Sequence, residues 1–269
     1  MRKSETVSAL ISVITCRGNR CESLARTLYF TPLHQAALSA KDGDVSSGGL
    51  LLVPNHSGEF PYEAIGCGTF PVIHVLDPDN RSTFQSGSNN QIIQEVDNQV
   101  WEASRHHPDR CSMTPAFKHK TLYFAGINHV LKAFSLNLSS KTPSHPTSTN
   151  RLQPGFPGVR PVVSAVRTNN GIVWAVDFSS SASLNAYDAT NLTPELYRSP
   201  GLGTGAKFVV PSVVNGKVYV GTASKLFVVR STLNAVRSRA DQTANLTEIL
   251  PRHIKENPRA KRDEKPVVV

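Results

Sequence analysis

The sequence predicts an all-β chain, a β-propeller of about four or five blades with irregular ends. Three observations predict it. Short runs of strand-forming residues recur, and their aligned aromatics Tyr123, Trp174 and Tyr219 stand 51 and 45 residues apart. A period near 45–50 with three or four short strands per repeat is a propeller-blade pattern. Asn-Gly pairs separate strand runs, as type I′ hairpin turns require. Helix-like periodicity is almost absent.

In chain order, residues 1–28 form a divergent N-terminal segment. Met1-Arg2-Lys3 precedes a short, mildly apolar run from Val7 to Thr15, with Glu5 intruding; that makes a poor export signal. The repeat region is expected over 29–230. A faint copy lies at 61–80, "PYEAIGCGTFPVIHVLDPDN". Within 90–101, Ile92, Ile93, Val96 and Val100 fit either a short helix or an extra strand.

Residues 114–134 give a clearer copy. Pro115 begins a strand, 122–126 is the middle one, and 130–134 the next. The Ser/Thr/Pro-rich stretch 137–158 reads as a long loop between blades. Residues 161–188 repeat the unit, with Asn170-Gly171 as the turn, Ile172–Ala175 as the middle strand and Leu184–Tyr187 as the next. The last copy is "VVNGKVYVGTASKLFVV", 213–229. Asn215-Gly216 is its turn, and Val218 and Val220 share one face while Tyr219 takes the other. Aromatics at a fixed position in repeated strands read as packing between blades. Residues 231–269 are polar, basic and unpatterned, a disordered tail by composition.

The net charge is +9, and the two ends, 1–28 and 231–269, carry +3 each. The repeat region carries the remaining +3 over 202 residues with no basic stripe, so solvated basic tails are preferred over a nucleic-acid surface. No run is long and apolar enough to span a bilayer. The four cysteines, Cys16, Cys21, Cys67 and Cys111, form no CxxC pair and read as ordinary thiols.

"HHPDRC" holds zinc-donor types at His106, His107, Asp109 and Cys111, but Pro108 and the tight spacing favour a solvated loop. "DPDN", 77–80, lacks the alternating acids and later Glu of a calcium loop and reads as a turn. "GLGTG", 201–205, lacks the Lys-Ser/Thr and helix of a phosphate loop. There is no G-x-S-x-G elbow. Asn191-Leu192-Thr193 is a glycosylation triplet, relevant only in an exported chain.

The segments "YFTPLHQAALSAKDGDVSSGGLLLVPNHSG" (29–58), "IIQEVDN" (92–98), "TPAFKHKTLYFAGINHVLKAF" (114–134), "GFPGVRPVVSA" (155–165), "NGIVWAVD" (170–177), "LNAYDATNLTPELYRS" (184–199) and "KFVVPSVVNGKVYVGT" (207–222) resemble, in order, the C-terminal part of bacterial quinoprotein-like (PQQ-like) β-propeller repeat proteins of uncharacterised function. The resemblance implies blades of the PQQ-like or WD-like kind. It also implies an exported, periplasmic family of seven or eight blades, of which this chain is a partial or truncated copy. Quinone-dependent alcohol dehydrogenases of this fold resemble each other in an adjacent Cys-Cys pair, which this chain lacks. No catalytic, cofactor-binding or metal-binding residue is therefore assigned, and no cofactor is expected. The expected function is a non-enzymatic binding or scaffold module, engaging a protein partner or self-associating through open blade edges. A degenerate quinone-dependent oxidoreductase is the alternative, and a decayed remnant a third reading.

Overall fold

The computed structural model describes residues 10–12, 16–17, 20–21, 27–40, 43, 45, 48–54, 56–57, 59–68, 72–77, 85–90, 92–97, 111, 113–136, 145–166, 169–178 and 181–230. Two short hairpin pairings come first: β1 (Leu10–Ser12) with β4 (Thr27–Tyr29), and β2 (Cys16–Arg17) with β3 (Arg20–Cys21). Helix α1 (Gln35–Ala40) follows. Its alanines favour the helix, and the Gly43 amide reaches back to the Leu38 carbonyl to close its end.

Four antiparallel meanders then succeed one another. Blade 1 is β5 (Leu50–Val53), β6 (Glu63–Cys67), β7 (Val72–Leu76) and β8 (Gln94–Asp97). Blade 2 is β9 (Ala116–Lys118), β10 (Thr121–Phe124), β11 (Lys132–Ser135) and β12 (Pro146–Thr149). Blade 3 is β13 (Val162–Val166), β14 (Asn169–Asp177), β15 (Ser183–Asp188) and β16 (Glu195–Arg198). Blade 4 has three strands, β17 (Ser212–Val214), β18 (Lys217–Gly221) and β19 (Leu226–Arg230). Strand β13 touches both β9 and β17. First strands thus lie together toward an axis and fourth strands at the rim. This is the all-β, propeller-blade architecture that the repeat predicts.

The period-2 alternation of each strand explains the stacking. In β10, Leu122 and Phe124 face blade 1, while Tyr123 joins Val173, Ala175 and Leu192 of blade 3. In β14, Val173 and Ala175 face blade 2, and Trp174 packs with Val218, Val220 and Phe227 of blade 4. Every inner blade is buried on both faces. Each fully buried Val, Leu or Phe contributes roughly 1.5–3 kcal/mol. On its other side blade 1 is covered in part: Phe30, Leu38 and Val45 pack on Ala64, Leu76 and Ile92.

Of the two readings of residues 90–101, the described residues hold the extra strand, β8, and no helix. Three sequence expectations need correction. The supposed loop 137–158 contains the rim strand β12, polar because a rim strand packs mainly on one side. Asn170-Gly171 is not the turn: Val166 pairs with Asn169, so both residues lie inside β14. A Cβ at Gly171 would stand 2.7 Å from that of Ala189, whose amide donates to the Gly171 carbonyl. The glycine serves a close approach of strands. Finally, Cys67 and Cys111 are joined by a disulfide across 44 residues, between β6 and the entry to blade 2. Cys16 and Cys21 stand opposite one another in the β2–β3 pairing.

Asn215-Gly216 is the expected type I′ turn, with φ of 50° and 67°. A second turn of this kind joins β9 to β10 through His119 (φ 45°) and Lys120 (φ 63°), without a glycine.

Candidate functional site

Two surfaces follow from this stacking: a cleft at the rim and the far face of the last blade.

The rim cleft lies between blades 2 and 3. Strand β12 is stitched to the β15–β16 connection: the Leu192 amide donates to Ser148 Oγ (3.2 Å) and Thr193 Oγ1 to the Thr149 carbonyl (3.2 Å). Behind it, the Leu131 amide donates to Asn150 Oδ1 (2.8 Å) and the Asn150 amide to the Leu131 carbonyl (3.0 Å). Blade 3 repeats this exchange with Leu184 and Ser199. Both third strands are thereby tied to the residue that follows the rim strand.

The connection itself is set locally. The Thr190 amide and hydroxyl both donate to Asp188 Oδ1, and the Thr193 amide donates to Asn191 Oδ1. These side-chain turns hold Asn191 to Pro194 at the mouth. A register shift follows, since Ala186 pairs with Tyr197 but Tyr187 pairs with Glu195. Such a bulge re-aims side chains.

The resulting cleft has a volume of about 600 Å³ and is lined by Arg151, Leu152, Tyr187, Asn191, Thr193, Pro194, Glu195 and Arg198. Arg198 and Glu195 form a forked ion pair, with Nη2 to Oε2 at 2.7 Å, and this bond raises the guanidinium's pKa. Tyr187 is 2% exposed at the base. Burial pushes its phenol up, with the Asn150 side chain opposing. No hydrogen bond of ordinary geometry satisfies its Oη.

The far face of blade 4 is built from the alternate residues of β17 to β19. Val213, Val218, Val220, Phe227 and Val229 pack toward blade 3. Val214, Tyr219, Leu226 and Val228 take the other side. Val214 is 53% exposed, and Tyr219, Leu226 and Val228 are half-buried. Tyr219 occupies the position of Tyr123 and Trp174, each 1% exposed. The reading of these aromatics as inter-blade packing holds for Tyr123 and Trp174. Among the described residues no apolar cluster forms on the Tyr219 side.

Blade 1 holds a buried acid. Glu63 is 3% exposed, with His56 Nε2 4.0 Å from its Oε1. Burial, with Asp77 nearby, pushes its carboxyl up to about 7. On β8, Glu95 lies 3.4 Å from His74 Nε2 and accepts from Asn89; the His74 bond in particular holds its carboxyl below the usual range.

No protein-family model matches this chain, and no curated protein matches it in sequence. Its likeness is to solved structures. It is similar to the computationally designed Ika8 protein, with 10% identity and a TM-score of 0.44 over 66% of this chain and 44% of that one. It is similar to BamB from Moraxella catarrhalis, with 13% identity and a TM-score of 0.42 over 72% and 46%. The WD40 domain of Toxoplasma gondii coronin gives 8% identity and a TM-score of 0.43 over 67% and 42%. The chain spans less than half the length of each.

The sequence clusters fare differently. His106, His107 and Asp109 lie outside the described residues, and Cys111 is held in its disulfide. Asp77 is described, but 78–80 are not. The 201–205 stretch is a structural loop: the Leu202 amide donates to the Ala182 carbonyl and the Ala182 amide to that of Gly203. Among the described residues no group of three His, Cys, Asp or Glu could hold a metal ion, and no helix is long and apolar enough to cross a membrane. The cleft went unread because its parts lie far apart, at 151–152 and 187–198.

Proposed function

We propose that this chain is a non-enzymatic β-propeller module that acts by binding, through the far face of blade 4, with a second copy of itself as the occupant. The assignment of its blades to the PQQ-like type, and to a bacterial family, belongs to the same proposal. The observation that carries it is Tyr219. In the two preceding blades the equivalent aromatic is buried against the next sheet, whereas Tyr219 stands on a face without a following blade among the described residues.

The other end supplies a matching surface. On β5, Leu50 and Leu52 point away from blade 2 and are 37% and 56% exposed. They lie on a first strand, as Val214 does. Blade 4 of one copy set against blade 1 of another repeats the junction already made within the chain. Such a head-to-tail contact uses two different patches. Uncovered apolar area costs roughly 25 cal/mol per Å².

Sedimentation velocity over a dilution series tests the proposal. The wild type is expected to associate as concentration rises. Val228→Lys on one face, or Leu52→Lys on the other, is expected to leave monomers with unchanged circular dichroism. A wild-type monomer at every concentration up to about 100 μM, well above the micromolar range of ordinary association, would overturn it. So would association that neither variant weakens.

A further inference from the structure

The rim cleft raises a question that the stacking of blades does not answer. Tyr123 and Tyr187 belong to the same buried cluster between blades 2 and 3. The Tyr123 hydroxyl donates to the Ala189 carbonyl at 2.7 Å. The Tyr187 hydroxyl, equally shut from solvent, makes no such donation: the Asn150 side chain lies on the donor side of its oxygen, and no acceptor of ordinary geometry takes its proton. A buried O–H donor left without an acceptor is unfavourable.

The surroundings of Tyr187 have the make-up of a ligand site. A volume of about 600 Å³ lies inside the range of small-molecule pockets, roughly 300–1,000 Å³. Leu152 and Pro194 supply apolar wall. Two guanidiniums, from Arg151 and Arg198, face one carboxylate, from Glu195. Glu195 is taken up by Arg198, and among the described residues Arg151 makes no ion pair. Among the lining residues Arg151 is the charge left over at the mouth, while Asp177 acts on Arg198 from outside the lining, and one hydrogen-bond donor stays at the base.

We propose that this cleft binds a small organic anion, a carboxylate or phosphate with an apolar body. Arg151 holds the charged group at the mouth. The apolar body lies against Leu152 and Pro194, and the Tyr187 hydroxyl donates to an acceptor on the ligand. Asn191 and Thr193 border the entrance on their hydrogen-bonded turn. Guanidinium is suited to both anions, since its planar fork bonds two oxygens at once. The site is separate from the blade 4 face, so it stands whether or not the chain self-associates.

The test is titration of the full chain with benzoate, phenyl phosphate and the neutral benzyl alcohol, followed by NMR shift changes at the Arg151 and Asn191 amides. Both anions, or one of them, are expected to bind saturably, and benzyl alcohol at least about tenfold more weakly, a loss of the size expected for a charge-assisted bond. Which anion binds tighter identifies carboxylate or phosphate as the natural group. Arg151→Gln is expected to weaken binding about tenfold and Tyr187→Phe about three- to tenfold. Tyr187→Phe should keep the wild-type circular dichroism and a cooperative melt, which separates lost binding from lost fold. Arg151→Gln should leave sedimentation unchanged, which separates this test from that of self-association. The absence of saturable binding by either anion would overturn the proposal. Equal affinity for benzyl alcohol would too, and so would affinities untouched by both substitutions.

Discussion

The Tyr123 hydroxyl donates a 2.7 Å hydrogen bond to the carbonyl of Ala189, joining the second strand of one blade to the residue that leaves the third strand of the next. The bond is buried, and burial raises the phenol to about 12, so it remains a donor throughout the neutral range. Tyr123→Phe should lower the unfolding free energy by about 1–2 kcal/mol, since the Ala189 carbonyl loses its donor. Urea denaturation at neutral pH measures this. Tyr219→Phe is the control and should change stability by less than about 0.5 kcal/mol, as surface substitutions do.

The β9–β10 turn places two residues with side chains in the left-handed region. Lys120 is exposed, so its side chain anchors nothing in the core. Lys120→Gly should therefore stabilise the chain by about 1 kcal/mol, the order of the left-handed penalty for an L-residue. Gly216→Ala, with φ of 67° in the corresponding turn, should cost a similar amount. Thermal melts of the two variants should move in opposite directions.

These turns also mark the limits of the sequence as a guide. Asn215-Gly216 was legible because Asn-Gly is the strongest chemical mark of a type I′ turn. His119-Lys120 carries no mark, and the geometry there is imposed by the flanking strands. Asn170-Gly171 carries the mark and is no turn, because the space beside Ala189 calls for glycine within the strand. Strand alternation was legible wherever both faces were buried, as around Tyr123 and Trp174. Rim strand β12, Pro-Thr-Ser-Thr, has no apolar alternation to show. The rim cleft needs residues brought together from two blades, and neither segment alone has a motif.

Glu63 makes blade 1 sensitive to pH. Its carboxyl titrates near 7 in the folded chain, above its usual 4.5. A raised folded-state value means the stabilising contribution is complete below about 4.5 and is lost as pH rises through about 7. Glu63→Gln should therefore melt higher than the wild type at pH 8, with the difference closing toward pH 5. A difference that is the same at both ends would contradict the assignment.

The Cys67–Cys111 disulfide closes a 44-residue separation at the junction of blades 1 and 2. Both cysteines are fully buried, and a Cβ at Gly48 would press against both sulfurs. Replacing both cysteines with alanine should cost about 2–4 kcal/mol, chiefly through the freed unfolded chain. Guanidinium melts with and without reductant should show the same loss in the wild type. No reductant effect on the midpoint would contradict it.

The equivalence of Tyr123, Trp174 and Tyr219 is the central claim: one position in three blades, fully buried twice and half-buried once. Hydroxyl-radical footprinting of the full chain across a dilution series tests it most directly. Tyr123 and Trp174 should stay protected at every concentration, while Tyr219 should be reactive when dilute and become protected as the chain associates. Labelling of Tyr123 or Trp174 in the dilute protein would contradict the stacking of blades, and Tyr219 reactivity that does not change with concentration would contradict its use as a contact between copies.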